Sequence, residues 1–323
     1  MKFALALLLL CAAAPVRAQE KTFNVGLIGL DTSHAVAFTQ IFHDVKSADH
    51  VSGVRVICAF PGGSADNPHS IDRVPGYRKE LSEKWKVEMV DSIPALCAKV
   101  DAVLLLSVDG RPHLDQAKPV IAARKPLFID KPFAASTAQA REIFRLAKEA
   151  NVPVFGSSAL RFAPGVVRAK TSAGAVLSAE AFSPCSLESH HPDLFWYGVH
   201  GVETLFAVMG PGCVTVARTQ TANTDVVVGV WRDGRIGSFR GLRKGAQPMG
   251  ITVFGEKKVE TIFDESKGSV YKPLLEEIVK FLRTGVPPVS AEETLELVAY
   301  MEAADVSKRE GGKPVELEKL LKQ

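Results

Sequence analysis

The chain has no second long apolar run, no excess of either charge, no Cys-x-x-Cys and no tract of low complexity. After an opening stretch from Phe3 to Ala14, nothing approaches the ~18 apolar residues that a membrane helix needs, so no membrane insertion is expected. Lys and Arg number 39 against 36 Asp and Glu, and no basic run interleaves with aromatics, so nucleic acid is not expected as a partner. Without Cys-x-x-Cys, neither a zinc ribbon nor a thioredoxin-like site is supported. No internal repeat is seen. A 46% hydrophobic and 23% charged composition is ordinary for a protein that buries a large core, which leaves out disorder, collagen and coiled coil.

What is present begins with an address. Lys2, the apolar stretch and Val16-Arg17-Ala18, a small-x-small cleavage pattern, predict an export signal over residues 1–18 and a mature start at Gln19. The expected location is the periplasm or the exterior. Cys11 follows Leu10 rather than a small residue, which speaks against a lipoprotein. No Arg-Arg pair precedes the apolar run, so the chain is expected to be threaded unfolded, without a preloaded cofactor. Four cysteines remain, Cys58, Cys97, Cys185 and Cys213, which allow three full pairings in an oxidising compartment. Buried free thiols are the simpler expectation, and a Cys185 to Cys213 bridge is the best single alternative.

The remaining length favours two domains. From Thr22 apolar strands alternate with amphipathic helices: strands at Phe23–Leu30, Val54–Ala59, Ala102–Ser107 and Pro126–Ile129, with Ala35, Phe38, Ile41, Phe42 and Val45 at helical spacing between the first two. Such short units predict a doubly wound parallel sheet in a Rossmann-like domain over residues 19–133. After a helix Thr137–Ala150 capped by Ser136 and a strand Val152–Ser157, strands follow one another directly at 214–219, 225–231, 236–240, 249–254 and 259–263. That succession predicts an α+β substrate domain over 134–323 with an open, mostly antiparallel sheet, and hence an α/β class for the whole chain. Two helices close it, Tyr271–Arg283 and one opened by the capping box Ser290-Ala-Glu-Glu293, with the final helix expected to return to the first domain.

Five segments in order resemble the Gfo/Idh/MocA family, named for glucose-fructose oxidoreductase, inositol dehydrogenase and a rhizopine catabolism protein. They are VGLIGLDTSH; FIDKPFA, where Asp130-Lys131-Pro132 stands for the family's Glu-Lys-Pro; SALRFAP; YGVHGVETLFAVMG; and the closing stretch from Val289 to Leu317. The resemblance implies a Rossmann domain for NAD(P), a sugar site on an open sheet, and hydride passing between a sugar carbon and nicotinamide. It also implies that the lysine of Glu-Lys-Pro and an Asp/His pair on a second-domain helix handle the proton, and that the exposed sheet face forms a dimer or tetramer.

Three family positions depart from the pattern. The glycine turn, with Gly26 and Gly29, continues as Leu30, Asp31, Thr32, Ser33 and His34, so Asp31 and His34 stand where the fingerprint has its second and third glycines. A carboxylate at Asp31 is expected to repel a pyrophosphate, while Asp31, Thr32 or Ser33 offers an N-cap that satisfies the helix internally. The second strand ends Cys58-Ala59-Phe60-Pro61 with no acid for a ribose, and Asp49 precedes the strand in a loop. One helical turn before His200 the family's aspartate is replaced by Trp196, and Glu203 follows one turn later.

The chemistry left in place centres on Lys131 and His200 as acid/base groups. Arg161, His113, Trp196 and Tyr197 are candidate substrate contacts, the aromatics by stacking on a sugar ring. If NAD binds, Gly26, Gly29, Leu30, Asp31, Thr32, Ser33, His34 and Asp130 would hold it. His190, His191, His200 and Glu203 form a mixed imidazole and carboxylate set suited to Zn²⁺ or Mn²⁺. The expectation is a sugar-active enzyme using metal-assisted acid/base chemistry, as an eliminase, hydratase or epimerase would, without exchangeable NAD. Two alternatives stay open: an NAD(P)-dependent sugar dehydrogenase with a tightly held cofactor, and a sugar-binding protein without turnover.

Overall fold

The computed structural model describes residues 21–263 and 269–322. The expected export signal and Cys11 lie outside them. Six parallel strands form the first sheet: β1 (Phe23–Ile28), β2 (Val54–Phe60), β3 (Glu88–Met89), β4 (Ala102–Leu105), β5 (Leu127–Asp130) and β6 (Val154–Ser157). Their spatial order is β3-β2-β1-β4-β5-β6. The order reverses between β1 and β4, which opens a crevice at the carboxyl ends of those two strands. Strands β4 and β5 are buried at every residue, as expected of parallel strands covered on both faces.

The helices between these strands are α1 (Ser33–His43), α2 (Pro68–Glu83), α3 (Ile93–Cys97), α4 (His113–Ala122) and α5 (Thr137–Ala150). Phe38 and Ile41 of α1 share one core with Leu27, Leu104 and Phe128, whereas residues of α3, α4 and α5 pack on the opposite side with Val103 and Ile129. Because β6 pairs with β5, α5 and β6 belong to the first sheet's layer rather than to the second region that begins at residue 134 on the sequence reading.

A 3-10 turn (Ala159–Phe162) and α6 (Pro164–Ser172) lead into the second sheet. Its strands are β7 (Val176–Pro184), β8 (Cys213–Gln220), β9 (Thr224–Trp231), β10 (Ile236–Leu242), β11 (Gly250–Gly255), β12 (Val259–Phe263) and β13 (Val315–Glu316), in the order β12-β11-β7-β10-β9-β8-β13. Within this sheet only β7 and β10 pair in parallel among the described strands, so it is mostly antiparallel as expected. Between β7 and β8 lie α7 (Asp193–Trp196) and α8 (Val199–Met209), and the chain ends with α9 (Lys272–Thr284), α10 (Ala291–Arg309) and α11 (Leu317–Leu321).

Helix α8 lies close on the second sheet: a Cβ on Gly201 would stand 2.3 Å from the Phe239 ring and 2.9 Å from Ser183 Oγ. The opposite face stays open and carries Val230, Ile236, Phe254, Val259 and Phe263 in exposed positions. The helix that packs on the first sheet is α9, whose Leu274, Ile278 and Phe281 join the core around Phe155, while α10 sits between α5 and β8. Both closing helices thus reach the first domain, α9 on its sheet and α10 against α5 and β6. Cys58, Cys97, Cys185 and Cys213 are all buried and free. No helix among the described residues is long and apolar enough to cross a membrane.

Candidate active site

A cleft of about 600 Å³ opens where the crevice of the first sheet meets the second region. Thr32, Ser33 and His34 from the start of α1, Lys131 after β5, Ser158 after β6, and Trp196, Tyr197 and His200 around α7 and α8 all face it. It sits at the topological switch point, the place where open α/β sheets bind ligands.

Lys131 is buried, and burial is the main cause that pushes its ammonium below the ordinary lysine value; the charge of Arg73 adds to this and Asp130 opposes it. His200 is driven well below the usual imidazole value by burial first and by the charges of Lys131 and His34 next, so its ring is neutral near pH 7. The Ser158 hydroxyl and His200 Nδ1 share a hydrogen bond of 2.8 Å, which fixes the ring and leaves its other nitrogen available.

Behind the wall, His34 Nδ1 lies 2.5 Å from Asp130 Oδ2, and Asp130 Oδ1 accepts the Lys131 amide at 2.9 Å. Burial would raise the Asp130 carboxyl, but the adjoining His34 and Lys131 outweigh it and hold the group below the carboxylate range. The His34 ring stacks on Phe38 at 5.2 Å and meets the edge of Tyr271, which locks it toward the cleft. The residue in the third glycine position is therefore a braced imidazole, a partnership across 96 residues of sequence.

Asp31 does not line the cleft. It is fully buried, accepts the Val108 amide at 3.0 Å and the Ser70 hydroxyl at 2.9 Å, and is raised by burial above the usual carboxylate value. The expected repulsion of a pyrophosphate thus fails on geometry, since the carboxylate points inward and is easier to protonate. Thr32 supplies the N-cap by accepting the His34 amide. Gly29 has φ +90°, and a Cβ there would stand 2.3 Å from the Ser107 nitrogen, so this glycine serves the close contact with the segment after β4. The amides of Gly29 and Leu30 donate to the carbonyls of Phe60 and Pro61, and Gly26 packs on Leu96.

Several expected contacts lie elsewhere. Arg161 is buried away from the cleft, donating from Nε to Glu203 at 2.8 Å and pairing with Glu293. It is a clamp between the 3-10 turn, α8 and α10, and it does not line the cleft. His113 is fully buried, with Nε2 2.9 Å from the Ser107 carbonyl and Nδ1 3.2 Å from the Phe133 carbonyl; burial lowers it, and a neutral ring donates to only one of the two.

The proposed metal set is dispersed. Glu203 is spent on Arg161, His200 faces the cleft, His190 pairs with Glu188 at the surface, and His191 Nε2 sits 3.0 Å from Asp109. His200 and Glu203 share a helix face and both reach the segment around the 3-10 turn, His200 to Ser158 and Glu203 to Arg161, which leaves Glu203 committed to an arginine. No group of three or more His, Cys, Asp or Glu that could hold a metal occurs among the described residues.

The sequence reading missed Arg73 and His69 on α2, and Ser158 and Tyr271, all of which face the cleft. His69 stacks on Trp196 at 5.4 Å. No local signal marks the α2 residues, because most of the helix is polar and only the fold selects which face meets the second region.

Residues 23–157 match the model of the Gfo/Idh/MocA oxidoreductases, described as an oxidoreductase family with an NAD-binding Rossmann fold. This domain belongs to that family. A search of curated proteins finds no match to the sequence. Solved structures match over nearly the whole chain. Scyllo-inositol dehydrogenase from Lactobacillus casei is 14% identical with a TM-score of 0.74, covering 93% of this chain and 99% of its own. An oxidoreductase from Agrobacterium radiobacter, solved with NAD⁺, L-tartaric acid and magnesium, is 16% identical with a TM-score of 0.74 over 93% and 100%. GenD2 from gentamicin A biosynthesis, solved with NAD, is 19% identical with a TM-score of 0.72 over 92% and 96%. At these identities the likeness shows the fold.

The family match corrects the expectation of a metal-dependent site without a dinucleotide: the domain is of the NAD-binding class, and proteins of this fold are solved with NAD. The donor set fits. Thr32 and Ser33 present hydroxyls at the positive end of α1, and no Asp or Glu among the described residues lines the cleft. The ribose end departs from the fingerprint, since Phe60 and Pro61 occupy the place of the acid.

Proposed function

We propose that the cleft binds NAD(P) and a polyhydroxylated small molecule, a sugar or polyol, and that the protein oxidises or reduces it. The observation that carries this reading is that Lys131 and His200 line one cleft at the switch point of an NAD-binding domain. Thr32 and Ser33 at the start of α1 would hold the cofactor's diphosphate. When bound, the cofactor supplies the hydride acceptor or donor.

Lys131 takes the proton of the substrate hydroxyl as the alcohol is oxidised. Its lowered value makes the free amine accessible nearer neutrality, and the buried position keeps water from competing. His200, neutral and fixed by Ser158, orients the same hydroxyl. Tyr197 lines the cleft where a sugar ring can stack, whereas Trp196, 8% exposed and already stacked on His69, only walls it. With Trp196 in the place of the family's aspartate, the proton falls to Lys131 rather than to an Asp/His pair.

The test is absorbance of reduced nicotinamide on mixing the protein with NAD⁺ or NADP⁺ and a panel of polyols, sugars and sugar acids. Lys131→Ala should slow an observed rate by about 10² to 10⁴ with the fold intact. No reduction with either cofactor across the panel would sink the reading. Two further parts of it concern setting. Export over residues 1–18 is checked by whether the protein recovered outside the cytoplasm starts at Gln19. The open apolar face of the second sheet fits coverage by a second copy of the chain, which light scattering of the wild type and of Phe254→Glu would reveal.

A further inference from the structure

The described lining of the cleft contains Arg73, Lys131 and three histidines, and no carboxylate. Two acids behind the wall are already engaged, Asp31 by Ser70 and Val108 and Asp130 by His34 and the Lys131 amide. Arg73 makes no hydrogen bond or ion pair with any described residue, although it is half-buried and its charge reaches Lys131. Lys131 Nζ likewise has no hydrogen-bond partner among the described residues while the residue is only 8% exposed.

A guanidinium stays charged at any ordinary pH, and its planar fork matches a carboxylate or phosphate in a bidentate way. Two cations drawn together out of bulk water repel one another unless an anion lies between them. We infer that the substrate of this cleft carries a carboxylate or phosphate held by Arg73, so that it is a sugar acid or sugar phosphate rather than a neutral polyol.

The position of Arg73 favours the substrate over the cofactor as the source of that anion. It lies on α2 one turn after His69, whose ring stacks on Trp196 at 5.4 Å, and Trp196 belongs to the second region. Thr32 and Ser33, by contrast, open α1 on the first sheet and offer the helix end suited to a diphosphate. The inference rests on the cleft being the substrate site, and it does not depend on which way hydride moves.

The experiment is calorimetric and thermal-shift titration of the mature protein with D-gluconate, D-glucuronate and D-glucose 6-phosphate, against D-glucose and myo-inositol as neutral controls, repeated with NAD⁺ and NADP⁺ alone. Binding of at least one of the acids or the phosphate, and not of the neutral controls, is expected. Arg73→Gln should weaken that binding roughly tenfold to a hundredfold, the loss of a charge-assisted bidentate contact, with Arg73→Lys in between and the affinity for either dinucleotide within about twofold. Neutral controls binding as well as the acids would overturn the inference, as would no acid binding at millimolar concentration. A loss confined to NAD⁺ or NADP⁺ in Arg73→Gln would also overturn it, because the anion would then be the cofactor's. Failure of the oxidoreductase reading shows up separately, as absence of nicotinamide reduction while acid binding persists.

Discussion

Three of the buried and half-buried arginines keep contrasting company. Arg218 is walled in by Asp225 at 2.9 Å, Asp305 at 2.5 Å and Asp193 at 2.9 Å, and Arg161 by Glu203 and Glu293. Arg73, facing the cleft, has no such partner among the described residues. The first two join elements that the chain must hold together: β8, β9, α7 and α10 around Arg218, and the 3-10 turn, α8 and α10 around Arg161. A buried charge whose partners come from the protein is committed to the fold, whereas one left open toward solvent is free to meet a ligand. Lys131 belongs with Arg73 in this division.

The comparison breaks most visibly at Arg218. Replacing it by Met leaves buried Asp305 without its cation, while Asp225 keeps Arg243 and Asp193 keeps Lys308, and a loss of about 3 kcal/mol is expected in urea unfolding. Arg161→Leu should cost about 3 kcal/mol at pH 8 for the same reason. That deficit should shrink toward pH 4. Glu203 is already raised by burial, with Arg161 opposing, so without the guanidinium its folded value rises further above the unfolded one. A raised group contributes stability that is full below its unfolded value and lost as the pH climbs through its folded value. Unfolding midpoints of the variant between pH 4 and 8 decide this, and a deficit independent of pH would mean that the glutamates find other partners.

The cleft cations should behave in the opposite way. Lys131→Met removes a desolvated ammonium without a described partner, so the variant should be more stable by about 1 kcal/mol while losing turnover. A drop in stability instead would place Lys131 with the structural charges. Arg73→Gln should move the unfolding midpoint least of all, by no more than about 0.5 kcal/mol.

Much of the fold follows from local pattern. The parallel strands show as apolar runs, and Ser136 and Ser290 cap α5 and α10 where their motifs place them. Strand β7 escaped because its core-facing residues are Ala179, Ala181 and Ser183, kept small by the close approach of α8, while Phe182 faces outward. The site was half legible. Lys131 and His200 could be identified because their neighbours in sequence resemble a family motif. Arg161, His113 and Glu203 could not be separated from true cleft residues, since a sequence shows a charged or imidazole side chain but not whether a carboxylate or carbonyl has already taken it. Asp31 shows the same limit: its presence in the glycine turn was plain, yet the direction of its carboxylate is set by Ser70 and Val108, which lie 39 and 77 residues away.

The claim on which the account turns is that this cleft accepts a nicotinamide cofactor despite Asp31 and His34 in its glycine turn. Trp196 lines the cleft, so NADH bound there should emit by energy transfer when tryptophan is excited, and NAD⁺ should displace the signal. Saturable transfer that Trp196→Phe diminishes, without change in NADH affinity, is the predicted result. Absence of any binding of NADH or NADPH at millimolar concentration, by transfer and by calorimetry alike, would contradict the account.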